Sequence, residues 1–179
     1  FNGHDTSELT SNEHIKAYPF DETEGAAGNL WRVGGAKLLC IKGAPEKLLP
    51  LCDVPNDMLY TVQNKQISYG QQGYNVLAVA YAKLDDDAPI PEKISEAHYS
   101  FMGLLAFENQ TQDYVPAAIH NCRRAGVRVI MTTGDSAETA LAIAQRIGIR
   151  GNTVVTGDML MSGEQIDFSD VCAFARITA

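Results

Sequence analysis

A threonine, a glycine and an aspartate stand together at Thr133-Gly134-Asp135, at the end of the apolar run Val127-Arg128-Val129-Ile130-Met131-Thr132. The run reads as a buried strand, and Ser136 to Ile149 reads as the helix it feeds. In open α/β sheets ligands gather at the carboxyl ends of strands. The start of the next helix offers free N–H groups and a positive dipole end to an anion. Gly134 permits a sharp turn and close approach of backbone to ligand. Thr133 offers a hydroxyl and an N–H to a phosphate oxygen, and Asp135 either caps the helix at Ser136 or orients a water or Mg2+. An ordinary helix-capping turn uses the same residue types, so the tripeptide alone supports both readings.

Three further positions could touch a phosphorylated ligand. Lys42, in Ile41-Lys42-Gly43-Ala44-Pro45-Glu46, leaves a predicted strand just before a glycine. It could project its ammonium into a cleft as a point charge while Gly43 keeps the backbone close; in isolation it equally reads as a surface lysine. Phe20, after Pro19, reads as an exposed stacking platform for a base or as a core aromatic. Arg176, in Phe174-Ala175-Arg176, closes a predicted strand and either reaches a ligand or is an ordinary surface arginine. The sequence contains no G-x-G-x-x-G, no G-x-x-x-x-G-K-[ST] and no convincing Ser/His/Asp order.

These residues need elements to hold them. Ile15 to Phe20 reads as extended, and Asp21 to Gly28 as a loop or loose hairpin connection. Leu30 to Val33 and Ala36 to Ile41 form a hairpin about Gly34-Gly35. Pro45 sits well in a first helical turn, and the helix runs on towards Cys52. Asn56 to Tyr69 leans to helix. Val76 to Tyr81 is a buried strand, Lys83 to Pro91 a solvated loop, and Tyr99 to Phe107 another strand. Beyond it come an amphipathic helix, Val115 to Ala125, closed by Gly126, a strand at 127–132 and a helix at 136–147 closed by Gly148. A short strand at Thr153-Val154-Val155 and an apolar stretch, Val171 to Ile177, complete the pattern. Strand–helix–strand alternation implies parallel strands, whereas the first hundred residues read as hairpins with short helices. A hinge is expected near Asn109 to Asp113.

The bulk properties narrow the partners. The 179 residues carry a net charge of −8, which argues against nucleic acid and anionic membranes. No apolar run approaches the roughly 18 residues of a membrane span. The chain opens on Phe1 without a leader and reads as part of something longer. Cys40, Cys52, Cys122 and Cys172 lack C-x-x-C spacing and read as buried reduced thiols. The four histidines lack ligand spacing, and no metal site is expected at them.

Taken in order, the motifs resemble the P-type cation-transporting ATPases from Ile15 onward. They are Pro19-Phe20, the K-G-A-P-E box at Lys42 to Glu46, the strand Gly73 to Ala80, G-L-L-A-F at Gly103 to Phe107, and V-P-A-A-I through M-T-T-G-D at Val115 to Asp135. Thr139 to Ile149, V-V-T-G at Val154 to Gly157, and F-A-R at Phe174 to Arg176 follow. The resemblance implies an α/β and α+β protein: an antiparallel-sheet nucleotide-binding domain at 1–109, without its start, then at 110–179 part of a Rossmann-like, haloacid-dehalogenase-like phosphorylation domain. It implies ATP and Mg2+ as cofactors. Phe20 would stack on adenine, Lys42 and Gly43 would line the ATP pocket, Thr133, Gly134 and Asp135 would face the γ-phosphate and its Mg2+, and Arg176 would contact the nucleotide. The implied partners are ATP and the remaining domains of a parent pump, with no nucleic acid and no direct membrane contact. The implied setting is the cytoplasmic part of an integral membrane protein.

The sequence also departs from that pattern. No D-K-T-G-T phosphoacceptor is present, so the chain by itself is expected not to turn over ATP. Asp21-Glu22-Thr23-Glu24-Gly25 replaces the basic residues expected after P-F. Gln112 and Asn75 stand where arginines are usual, and the acidic box is degraded at Asp5 to Glu8. At about 0.5–1.5 kcal/mol per lost contact, ATP affinity would fall by roughly one to three orders of magnitude. A degenerate regulatory module of the same fold is the alternative. A free-standing phosphatase is disfavoured by the missing D-x-D or D-x-T nucleophile.

Overall fold

The computed structural model describes residues 12–108, 110–163 and 165–177. The acidic box at Asp5 to Glu8 and the hinge residue Asn109 lie outside them. Two compact units emerge. The first comprises residues 12–62 with Leu77–Leu105; the second comprises Gln63–Val76 and the described residues from Ala106 onward.

The first unit is built on a five-stranded sheet in sequence order: β1 (Glu13–Asp21), β2 (Ala26–Val33), β3 (Ala36–Gly43), β4 (Tyr74–Asp85) and β5 (Ser100–Glu108). The first three neighbouring pairs are antiparallel. Strands β2 and β3 meet at a two-residue turn, with Val33 opposite Ala36. Gly34 and Gly35 both have positive φ, 56° and 79°, as a type I′ hairpin requires and as only glycine supplies without cost.

Burial alternates along β3: Lys37, Leu39, Ile41 and Gly43 point inward, while Cys40 and Lys42 lie on the exposed face. They inherit that face from the period of two. Cys40 is therefore exposed, against its expected burial. The inward face packs Leu30, Leu39, Ile41, Ala78, Ala80 and Tyr99 into one core with Leu48 from helix α1 (Pro45–Leu48). Pro45 does open α1, but the helix gives way to a 3-10 turn at Leu49–Leu51. The segment that leaned to helix is α2 (Asn56–Gln71).

Two boundaries differ from the sequence reading. Of the two readings of Asp21 to Gly28 the hairpin connection holds, but it is tight: a turn at 22–25 leads into β2 at Ala26, opposite Asp21. Strand β4 continues through Lys83 and Leu84 to Asp85, because all of β3 is available as a partner, Lys37 opposite Leu84 and Ala36 opposite Asp85.

The second unit carries a three-stranded parallel sheet, β6 (Met131–Thr132), β7 (Thr153–Thr156) and β8 (Val171–Ala175), in the order β6-β8-β7. Helices α3 (Val115–Arg124), α4 (Ala137–Arg146) and α5 (Gly157–Met161) belong to it. Ile119, Ala140, Ala144, Cys172, Ala173 and Ala175 form its core. The small residues on α4 and β8 let helix and strand approach closely. The strand expected at 127–132 shortens to two residues, since β6 has one strand neighbour among the described residues and Val127 is exposed. Helix α5 was not anticipated; Thr156 starts it, its side chain accepting from the Met159 N–H at 3.3 Å. No described helix is long and apolar enough to cross a membrane.

Candidate functional site

In the first unit, the exposed face of the sheet holds an open cavity of about 520 Å3 lined by Ala17, Tyr18, Ala27, Cys40, Lys42 and Val79, among others. The ladder puts Ala27 and Val79 directly beside Lys42. Those two short apolar side chains leave its ammonium without a hydrogen-bond or ion-pair partner among the described residues. An isolated cation on an apolar concave surface suits a ligand with an apolar body and an anionic end. Phe20 is 65% exposed near the end of β1, so it is a surface aromatic and not a core one.

Gly43, next to Lys42, is buried. A Cβ there would collide with the Gly25 carbonyl oxygen and lie 2.8 Å from Ala26 Cα and from Leu48 Cδ1. The close approach that Gly43 permits is to its own chain, where the Ala44 N–H also donates to Gly25 O at 2.9 Å.

The acidic turn after Phe20 has structural work. Asp21 Oδ1 accepts from the N–H groups of Thr23 and Glu24, at 2.8 and 3.0 Å. Glu24 accepts from the Ile94 N–H, the Ser95 N–H and the Ser95 hydroxyl. Burial works to raise the Glu24 pKa, but these hydrogen bonds outweigh it and hold the carboxyl below its ordinary value.

In the second unit, Thr133, Gly134 and Asp135 follow β6 as a closed loop. The Thr133 hydroxyl donates to Asp135 Oδ2 at 3.0 Å and accepts from the Asp135 N–H at 3.1 Å. Asp135 does not cap the next helix. Ser136 does, its side chain accepting from the Thr139 N–H.

Arg176 is brought to the same loop by β8. Its side chain donates to Gly134 O at 3.1 Å, and its backbone N–H donates to Asp135 O at 3.2 Å. It is the described non-glycine residue with positive φ, 53°, a conformation that costs about 1 kcal/mol or more and is held only by its surroundings. Thr133, Gly134, Asp135 and Arg176 therefore form one cluster; Phe20 and Lys42 belong to the other unit's surface, with Gly43 buried beside Lys42. The sequence reading missed a third feature, a cavity ringed by four arginines from three separate segments, which only the topology assembles.

The geometry defines an α/β protein with an isolated lysine on one sheet face and a threonine–glycine–aspartate loop at the carboxyl end of a parallel strand. The chain belongs to the P-type ATPase family. It is 30% identical over 174 residues to the sodium/potassium exporting P-type ATPase cta3 of Schizosaccharomyces pombe, which covers 89% of this chain and 17% of that protein. It is 34% identical over 121 residues to the probable cation-transporting ATPase 13A4 of Mus musculus, 65% of this chain and 10% of the relative. Identity is 35% over 139 residues to the sodium/potassium-transporting ATPase subunit alpha-1 of Oreochromis mossambicus, 66% and 14% respectively. The chain thus spans 10% to 17% of the length of these curated relatives. No family model matches it.

Proposed function

We propose that this chain is the ATP-handling part of a cation-transporting pump, and that ATP binds on the sheet face around Lys42. The observation that carries the reading is the unpartnered Lys42 ammonium on an apolar concavity, inside the K-G-A-P-E box. In this reading residues 1–109 are the nucleotide-binding domain and 110–179 part of a haloacid-dehalogenase-like phosphorylation domain. Phe20 stacks on adenine and Lys42 offsets phosphate charge, with Gly43 beside it in the lining of the pocket. Thr133, Gly134 and Asp135 face the transferring phosphoryl group and its Mg2+, with Arg176 holding their loop. Asp135 suits that task because one carboxylate oxygen is oriented by Thr133, leaving the other for a cation or its water. The parent pump passes the γ-phosphoryl to an aspartate and couples its hydrolysis to ion movement. Positioning and charge neutralisation supply most of the catalysis in such transfers. This chain carries no D-K-T-G-T acceptor, and we infer no turnover by it alone.

The test is an ATP titration, with and without Mg2+, followed by backbone amide NMR. Saturable shifts around Phe20 and Lys42, weakened about tenfold by Lys42→Ala, are expected. Silence at millimolar ATP would instead favour the regulatory reading, which Asp21, Glu22, Glu24 and Gln112 support by placing carboxylates and an amide where the family carries positive charge.

A further inference from the structure

Four arginines converge on one cavity of about 560 Å3 in the second unit. Arg123 and Arg124 come from the last turn of α3, Arg128 from the segment before β6, and Arg150 from the connection between α4 and β7. The only carboxylate in its lining is that of Asp170, and His120 adds an imidazole. The cavity lies at the amino ends of the three parallel strands: Arg128 precedes β6, Arg150 precedes β7 and Asp170 precedes β8. The Thr133–Asp135 loop lies at the carboxyl ends, so the two are distinct sites.

A surface of this sign is unexpected on a chain of net charge −8. Outside the lining, hydrogen bonds from Ser169 and then the nearby Arg128 charge hold the Asp167 carboxyl below its ordinary value, so Asp167 offsets part of that one arginine. The ion pairs among the described residues both involve Arg32. Asp170 is occupied elsewhere, its Oδ2 accepting from the Asn152 N–H and the Thr153 hydroxyl, both at 3.2 Å. Two arginines have partial structural duties. Arg128 donates to the carbonyls of Phe168 and Val171, and Arg123 reaches Gly148 O at 3.4 Å. A position in the last turn of a helix also favours cations, through the dipole, and accounts for part of Arg124. Nothing of this kind accounts for Arg150. Arg124 and Arg150 are both exposed, and their side chains make no hydrogen bond or ion pair among the described residues.

We infer that this cavity binds a ligand carrying clustered phosphate groups. Guanidinium forks pair with phosphate oxygens bidentately, and several in one concave site offset the repulsion that a second or third phosphate brings. The shared chemistry is a multiply phosphorylated group, either a soluble polyphosphate or the headgroup of a phosphorylated lipid.

The experiment uses the 179-residue chain and two probes. Inorganic pyrophosphate is titrated while backbone amides are followed by NMR. Phosphatidylcholine vesicles with and without phosphatidylinositol 4,5-bisphosphate are then sedimented with the protein. Saturable pyrophosphate shifts at Arg124, Arg128 and Arg150, weakened about tenfold by Arg124→Glu or Arg150→Glu, support the site with a soluble ligand. Co-sedimentation only with the bisphosphate lipid, lost in the same variants, supports it with a headgroup ligand. Both substitutions lie on exposed, partnerless side chains, and an unchanged amide spectrum elsewhere verifies the fold. Absence of both effects overturns the inference, as do shifts that never saturate or that ignore the two variants. Shifts at Phe20 and Lys42 report on the ATP reading separately, so either proposal can fail alone.

Discussion

Glu24 and Ser95, 71 residues apart, are joined twice: the Ser95 hydroxyl and the Ser95 N–H donate to the same carboxylate oxygen, at 2.7 and 3.0 Å. With the Ile94 N–H on the other oxygen, the turn between β1 and β2 is tied to the 3-10 turn Ile94–Glu96. The folded-state pKa of Glu24 is lowered, so its contribution is present above the unfolded pKa and is lost as pH falls through the folded value. Asp21 shifts the same way, chiefly through the Glu24 N–H. An NMR titration of the Ser95 amide should give a midpoint below that of an ordinary glutamate. A midpoint at or above the ordinary value would remove Glu24 as the tie.

Gly43→Ala should destabilise the first unit by about 1–3 kcal/mol, as overpacking into backbone does. The added methyl meets the Gly25 carbonyl oxygen, the Ala26 backbone and the Leu48 side chain. Urea unfolding would measure it. Lys42→Ala, on an exposed side chain one residue away, should stay within about 0.5 kcal/mol of the parent.

Thr133→Val keeps the shape but removes both hydrogen bonds to Asp135. A cost of about 1 kcal/mol is expected, together with faster hydrogen exchange of the Asp135 amide. Protection unchanged in the variant would show that Arg176 and the backbone bonds of Thr133 to Phe174 and Ile177 hold the loop without the Thr133 hydroxyl.

Ser136→Ala should cost about 1 kcal/mol through loss of the cap on α4, and Ser136→Asp should recover most of it. Thermal unfolding of the two variants provides the comparison. Equal losses in both would mean that the contact between the Ser136 and Thr139 hydroxyls, 3.1 Å apart, matters more than the cap.

Local chemistry made much of this fold legible. The Gly34-Gly35 turn, Pro45 at a helix start, and Gly126 and Gly148 past helix ends each act within a few residues, and all four appear where expected. What depended on partners distant in sequence was not legible. The length of β4 is set by β3, and the shortness of β6 by its single strand neighbour. The apolar neighbours of Cys40 suggested burial, but the strand's parity turned it outward. The site residues were visible as types, yet the Thr133–Asp135 pair and the backbone turn of Arg176 are geometric facts with no sequence signature. The arginine cavity failed to register for a related reason. Positions 123, 124, 128 and 150 look like scattered surface charge until the amino ends of the parallel strands align them.

The central place of β8 has a consequence for synthesis. Strands β6 and β7 each bond to β8, yet β8 is the last of the three to be made. On a ribosome, Met131–Thr132 and Thr153–Thr156 emerge before residues 171–175, the strand that both of them pair with among the described residues. The pairing of these three strands thus waits on β8, and a stall before Val171 would leave the two earlier strands without this partner, open to holdase chaperones or to pairing with other chains.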